Sequence, residues 1–178
     1  MLDEVIAELE RREGTTAAED VRRWMASTDP DVMGATDSFL NRAECVSRIQ
    51  PPLSFDSVLA FRLRFFEVQV QVNRDSDWTG NGTIAGLELA SWFVRLWDEG
   101  FRQHCETIKA LLRRMYLDGA PRVKRTVEQG VIEHLFERPE VMQFFDDWRT
   151  DPQLAVVYAA GKEWADGGGT SPISWNKR

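Results

Sequence analysis

The 178-residue chain predicts a mainly α-helical fold, a single-domain bundle of six to eight helices over residues 1–166. Apolar residues recur at three- and four-residue spacing along most of the chain, which is typical of helices that bury one face. Seven tryptophans and ten phenylalanines supply enough buried area for a core without disulfides or a structural metal. Prolines and glycines stand between the periodic segments, where helices begin and end.

The first fifty residues predict three helices. An apolar stripe over 2–13 indicates the first, with Gly14 after it. Thr16-Ala17-Ala18-Glu19 has the pattern of a capping box and predicts the start of a second helix. Asp29-Pro30 predicts the start of a third, because proline is tolerated at the first helical position, and Pro51-Pro52 must end it.

The segment 58–73 fits two structures. Apolar and polar residues alternate along it, as in Phe61-Arg62-Leu63-Arg64-Phe65, which is typical of a strand. Its β-branched valines also favour a strand. The same residues also fit a helix over 55–74 with one polar stripe, which Ser54 can cap. A strand of this length would exceed the usual 3–10 residues, roughly, and the chain offers no convincing partner strand. We therefore predict a helix, with a β element at 58–73 as the alternative.

The clearest helical pattern covers residues 83–117, and Gly100 in its middle predicts a bend or a break into two helices. Three further helices are expected over 122–137, 139–148 and 152–164, the last two opening on a proline. Residues 167–178 begin with three glycines and predict a flexible tail, although Ile173 and Trp175 could dock on the body.

The net charge is −7, and residues 1–56 hold twelve acidic against six basic residues. An acidic surface disfavours nucleic-acid binding, because phosphate contacts need clustered positive charge, and it can steer the protein toward a basic partner. No apolar run reaches the roughly 18 residues of a membrane helix, and acids follow Met1 where a secretory signal carries bases. We therefore expect a cytoplasmic protein with no membrane partner, whose Cys45 and Cys105 are free thiols.

A helix over 55–74 would place Arg62, Gln69 and Asn73 on its apolar side. A buried guanidinium needs a partner, for which Glu88 and Glu133 are candidates. The alternative is a pocket in which Arg62 meets an anionic ligand, with His104 or His134 as the acid–base group of an enzyme.

Motifs for catalysis and for metal binding are missing from the sequence. His134 and Glu137 share a helix face, but neither histidine has a glutamate three residues before it, as carboxylate-bridged metal bundles require. No Gly-x-Ser-x-Gly motif occurs. We expect no metal and no cofactor, and the enzyme hypothesis is the weaker one.

Two further segments have a structural and a functional interpretation. The basic residues of 109–125 surround a predicted helix–turn–helix junction, so they either bind the chain's own acidic segments, 1–20 or 140–151, or belong to a DNA-binding regulator. The aromatic and acidic stretch 144–148 either fills the core or forms a docking patch for a basic protein. Its candidate partner-binding residues are Phe144, Asp146, Asp147 and Trp148.

Acidity, size and the missing catalytic motifs favour binding over catalysis. The function we predict is that of a small acidic cytosolic protein that binds another protein. Its most concrete form is an immunity-type or inhibitor protein that neutralises a basic toxin or nuclease. One alternative is a ligand-binding or enzymatic helical bundle with a pocket around Arg62, and the second is a helix–turn–helix regulator. The sequence does not decide whether the protein forms a homo-oligomer.

Overall fold

A computed structural model describes residues 1–74 and 76–167 and confirms the mainly α-helical fold. Among these residues, eight helices are seven or more residues long, and the strands are two residues each. The backbone divides into two compact units, Met1–Asn81 and Gly82–Arg178. The single domain over 1–166 stays a prediction, and the predicted tail, beyond Gly167, lies outside the described residues.

The first unit contains five helices and two strands. They are α1 (Leu2–Glu10), β1 (Thr16–Ala17), α2 (Ala18–Met25), α3 (Pro30–Leu40), α4 (Ala43–Val46), β2 (Ile49–Gln50) and α5 (Phe55–Val72). The two strands pair in parallel, with Thr16 opposite Ile49. α3 begins at Pro30 as predicted, and the Asp29 carboxylate caps it by accepting the backbone N–H groups of Asp31 and Val32.

Two details of this unit differ from the prediction. The capping box at Thr16 is wrong, because Thr16 lies in β1 and its hydroxyl donates to Glu8 Oε2 at 2.8 Å. The single helix after Pro30 is wrong as well. Helix α3 ends at Asn41, and the backbone of Arg42 is extended. The residues that follow form α4 and β2.

The β element at 58–73 is also wrong, since α5 runs through this segment as far as Val72. Ser54 Oγ accepts the backbone N–H of Ser57 and caps the helix, while Asn73 ends it with a φ of 46°. The apolar residues bury on more than one side of α5, among them Leu59, Phe61 and Phe66. The alternation of apolar and polar residues in this segment therefore comes from a helix that is apolar around most of its circumference.

The core of the first unit lies between α1, α2, α3 and α5. Trp24 meets Phe39 edge to face, with ring centroids 5.7 Å apart, and both side chains are buried. Gly34 of α3 faces the Trp78 carbonyl so closely that a Cβ would lie 1.8 Å from its oxygen. Glycine is therefore required for the segment after α5 to lie against α3.

The second unit is a run of helices that includes one π-helix. Its elements are α6 (Gly82–Asp98), α7 (Arg102–Asp118), α8 (Pro121–Arg125), the π-helix (Thr126–Ile132), α9 (Glu133–Phe136), α10 (Pro139–Phe144), α11 (Asp146–Thr150) and α12 (Ala155–Asp166). The break predicted at Gly100 is confirmed, and this residue has a φ of 83°. Gly86 of α6 crosses the π-helix at Gly130, where a Cβ on Gly86 would lie 2.8 Å from the Gly130 Cα.

Aromatic side chains fill the core of the second unit. Phe145 lies at its centre, with ring centroids 4.9 Å from Trp148, 5.7 Å from Phe136 and 6.0 Å from Phe93. These contacts join α6, α9 and α11 around the short connection between α10 and α11. In residues 1–74 and 76–167 we find no helix that combines the length and the apolar character needed to cross a membrane.

Candidate functional site

Arg62 forms an ion pair within the first unit. Its Nε donates to Asp37 Oδ1 at 3.1 Å, and its NH2 group donates to the side chain of Asn41. Burial raises the pKa of the Asp37 carboxyl, although the Arg62 guanidinium lowers it. Asp37 is thus a partner of Arg62 that the sequence did not predict, and it lies close because α3 packs on α5. The predicted pairing with Glu88 or Glu133 stays a prediction.

The other residues of the predicted ligand pocket divide between the two units. Gln69 is buried in α5, and Asn73 follows at its C-terminal end. His104 lies on α7 and His134 on α9, both in the second unit. A pocket that joins Arg62 to a histidine therefore stays a prediction.

The sulfur and metal chemistry of the described residues is limited. Both cysteines are buried free thiols, as predicted. Burial raises the pKa of the Cys105 thiol to about 11, so it holds its proton at neutral pH and is a poor nucleophile. Across the part of the chain that the structure describes, no three His, Cys, Asp or Glu side chains are grouped to hold a metal ion.

Two basic residues of α7 pair with one of the chain's own acidic segments, as the internal interpretation predicts for them. Lys109 Nζ lies 2.5 Å from Asp147 Oδ1 and donates to the Phe144 carbonyl at 2.8 Å. Arg113 pairs with Asp151 at 2.7 Å. After the turn at Gly119, the five-residue α8 is followed directly by the π-helix. Residues 122–134 therefore do not form the single regular α-helix that a DNA-recognition helix requires.

The candidate partner-binding stretch is largely part of the core. Trp148 is 1% exposed and Phe144 is half-buried. Asp146 accepts a hydrogen bond from the Tyr158 hydroxyl at 2.9 Å, and Asp147 is the partner of Lys109. The structural interpretation accounts for these contacts, and docking at this stretch stays a prediction.

A cleft lies between the start of α9 and the last turns of α12. It has a volume of about 470 Å³, opens to solvent, and is lined by Glu133, Ala160, Glu163, Trp164 and Gly167. Gly161, one residue beyond Ala160, faces Ile132 so closely that a Cβ there would lie 2.7 Å from its Cγ2. This close approach of α12 brings Glu163 and Trp164 beside Glu133.

A hydrogen-bond network fixes one wall of the cleft. Glu137 Oε1 lies 3.2 Å from His134 Nδ1, and it accepts the indole N–H of Trp164 at 3.4 Å. The His134 and Trp164 rings also meet edge to face, with centroids 6.0 Å apart. The carboxylate of Glu137 therefore orients both rings. His134, at 6% exposed, supports the wall rather than facing solvent.

Glu133 and Glu163 place two carboxylates in the cleft. Burial raises the pKa of Glu133, and the nearby carboxylate of Glu128 raises it further against the effect of His134. Within residues 1–74 and 76–167, neither Glu133 nor Glu163 has a lysine or arginine at ion-pair distance. The cleft thus presents negative charge that the described chain does not neutralise.

Sequence analysis found part of this site. It named His134 with Glu137, because residues three apart share a helix face. It missed Ala160, Glu163 and Trp164, which come from a helix far along the chain, and no sequence pattern ties α12 to α9. Comparison of the chain with models of protein families, with curated proteins and with solved structures finds no match.

Proposed function

We propose that this is a small acidic cytosolic protein that binds another protein, and that the cleft at Glu133, Glu163 and Trp164 receives a basic side chain of the partner. An immunity-type or inhibitor protein that neutralises a basic toxin or nuclease is the most concrete form of this proposal. The observation that carries it is the pair of cleft carboxylates without a cationic partner among the described residues.

Electrostatics favours a cationic occupant. The half-buried carboxylate of Glu133 loses hydration, which raises its pKa, and the nearby His134 offsets only part of that rise. A guanidinium or ammonium group beside Glu133 and Glu163 would supply the missing charge and its hydrogen bonds. An anionic occupant would add repulsion instead.

The tryptophan favours a side chain with both apolar and cationic parts. The ring of Trp164 lines the cleft and is held by its hydrogen bond to Glu137. A cation over a tryptophan face gains about 0.5–2 kcal/mol, and an aliphatic stem gains burial against the same ring and Ala160. Arginine meets both demands best, because its planar guanidinium stacks on aromatic faces and pairs with carboxylates.

The net charge of −7 adds a long-range contribution to binding. Opposite charge speeds the diffusional encounter of two proteins, and salt screens this effect. We therefore expect association with a basic partner to slow as salt concentration rises.

The test is calorimetric titration of the full chain with a short neutral peptide that contains one arginine. Glu133→Gln and Glu163→Gln are each expected to weaken binding about threefold to fivefold, the usual effect of one exposed charge pair. Glu13→Gln is the matched control, since Glu13 is exposed in the first unit, and should leave binding unchanged. Equal losses in all three variants, or no binding to the wild type at low salt, would refute the proposal.

A further inference from the structure

The α12 wall of the cleft leads directly into the last residues of the sequence. The α12 residues that line the cleft share one helix face, because they are three or four positions apart: Ala160, Glu163, Trp164 and Gly167. Gly167 continues this face, since its backbone N–H donates to the Glu163 carbonyl at 2.9 Å. The segment 168–178 is therefore attached to the protein at the rim of the cleft.

This segment carries charge opposite to that of the rest of the chain. Residues 168–178 contain two basic residues, Lys177 and Arg178, and no acidic residue. Because the whole chain has a net charge of −7, these two bases leave a net charge of −9 on residues 1–167. The segment thus has the sign of charge that the carboxylates of the cleft attract.

The segment is also long enough for its bases to reach the cleft. Lys177 stands ten residues after Gly167, and a flexible chain of ten residues has an r.m.s. end-to-end distance of roughly 16–19 Å. Gly167 itself lines the cleft, so the bases are tethered beside it rather than across the protein. A short tether of this kind gives an effective concentration in the millimolar range.

We infer that residues 168–178 bind the cleft of their own chain through Lys177 and Arg178, and that a basic partner must displace them. Two bases match the two cleft carboxylates of Glu133 and Glu163, and the ring of Trp164 offers a face for a cation. This inference rests on the proposed function, because it gives the cleft the same kind of occupant. It adds a competition between the partner and the chain itself.

Such competition weakens binding of the partner without abolishing it. The apparent affinity of a ligand falls in proportion to the fraction of sites that stay open. If the effective concentration of the tethered bases equals their dissociation constant, about half of the clefts are occupied, and an external ligand binds about twofold more weakly.

The experiment is calorimetric titration of the full chain with the neutral single-arginine peptide, in the wild type and in Lys177→Gln/Arg178→Gln. Removal of the two bases is expected to tighten peptide binding about twofold or more. The matched control is Arg12→Gln/Arg22→Gln, which removes two exposed bases of the first unit and changes the net charge by the same amount. This control should bind the peptide as the wild type does.

A second measurement needs no peptide. In NMR spectra of the labelled full chain, the indole N–H signal of Trp164 should differ between the wild type and Lys177→Gln/Arg178→Gln, because the segment leaves the ring when its bases are removed. The control Arg12→Gln/Arg22→Gln should leave this signal where it is in the wild type.

The two proposals fail in different ways. If the wild type does not bind the peptide at low salt, the proposed function is wrong. If the wild type binds it, and Lys177→Gln/Arg178→Gln binds it no more tightly than the control does, only the docking of residues 168–178 is wrong. Tighter binding in Lys177→Gln/Arg178→Gln with an unmoved Trp164 signal would show that the two bases act away from the cleft, and would overturn the inference as well.

Discussion

The first unit and the cleft of the second unit differ in how their carboxylates are paired. In the first unit, Glu4, Glu8, Asp20, Asp31 and Asp37 each lie at ion-pair distance from an arginine. Other carboxylates of the second unit, such as Asp147 and Asp151, are paired in the same way. The cleft carboxylates of Glu133 and Glu163 have no lysine or arginine at that distance within the described residues. Residues 1–56 are the most acidic part of the sequence, yet five of their twelve carboxylates lie at ion-pair distance from an arginine. Net charge along a sequence therefore does not reveal where unpaired charge lies.

The largest expected effect is on the buried pair of the first unit. Asp37→Ala removes the acid that pairs with Arg62, whose side chain is 16% exposed. Because the change leaves a largely buried guanidinium with fewer partners, it should lower the free energy of unfolding by roughly 3 kcal/mol. Urea denaturation measures this loss.

The exposed pairs of the same unit provide the control for Asp37→Ala. Arg23 bridges Glu4 and Asp20, and all three side chains are about half exposed. Arg23→Gln should cost less than about 1 kcal/mol, because water and salt screen such pairs. Equal losses of unfolding free energy in Asp37→Ala and Arg23→Gln would show that the buried ion pair is no more important for stability than the exposed ones.

The second prediction concerns the glycine crossing of the second unit. Gly86→Ala places a Cβ 2.8 Å from the Gly130 Cα, so α6 and the π-helix must separate. The expected loss is about 1–3 kcal/mol, as in other overpacked cores, together with weaker binding of the arginine peptide. Gly100→Ala is the comparison, since no atom lies within 4 Å of a Cβ there. Its backbone strain should lower stability without changing binding.

A pH dependence follows from the raised pKa of Glu133. The folded protein keeps the proton on this carboxyl over a range of pH in which the unfolded chain has released it. The stability contributed by Glu133 is therefore lost as the pH rises through its folded pKa. Glu133→Gln cannot ionise, so it should be more stable than the wild type at pH 7.

The difference between Glu133→Gln and the wild type should vanish below about pH 4, where the wild-type carboxyl is protonated in both states. Urea denaturation at both pH values measures it. A difference that is the same at both would contradict the raised pKa.

The helices were predictable because their signals are local. Pro30 after Asp29, Ser54 and Gly100 mark helix boundaries through their own backbone preferences, and the structure confirms each of them. The capping box at Thr16 failed because a long-range hydrogen bond to Glu8 takes its hydroxyl. The pairing of β1 with β2 likewise joins distant segments, which periodicity does not reveal.

The candidate site was only partly predictable for the same reason. His134 and Glu137 stand one turn apart, so spacing alone brings them together. Trp164 and Glu163 reach them through the packing of Gly161 on Ile132, a contact between helices. The π-helix before α9 leaves no sequence signature comparable to a proline.

The contrast between the first unit and the cleft is tested most directly by NMR titration of the labelled full chain with the single-arginine peptide. We predict that chemical-shift changes centre on Glu133, Ala160, Glu163 and the indole N–H of Trp164, which donates to Glu137. Changes centred on α1 and α2 instead, with the Trp164 indole signal unmoved, would show that the acidic first unit binds the cation and would contradict the account.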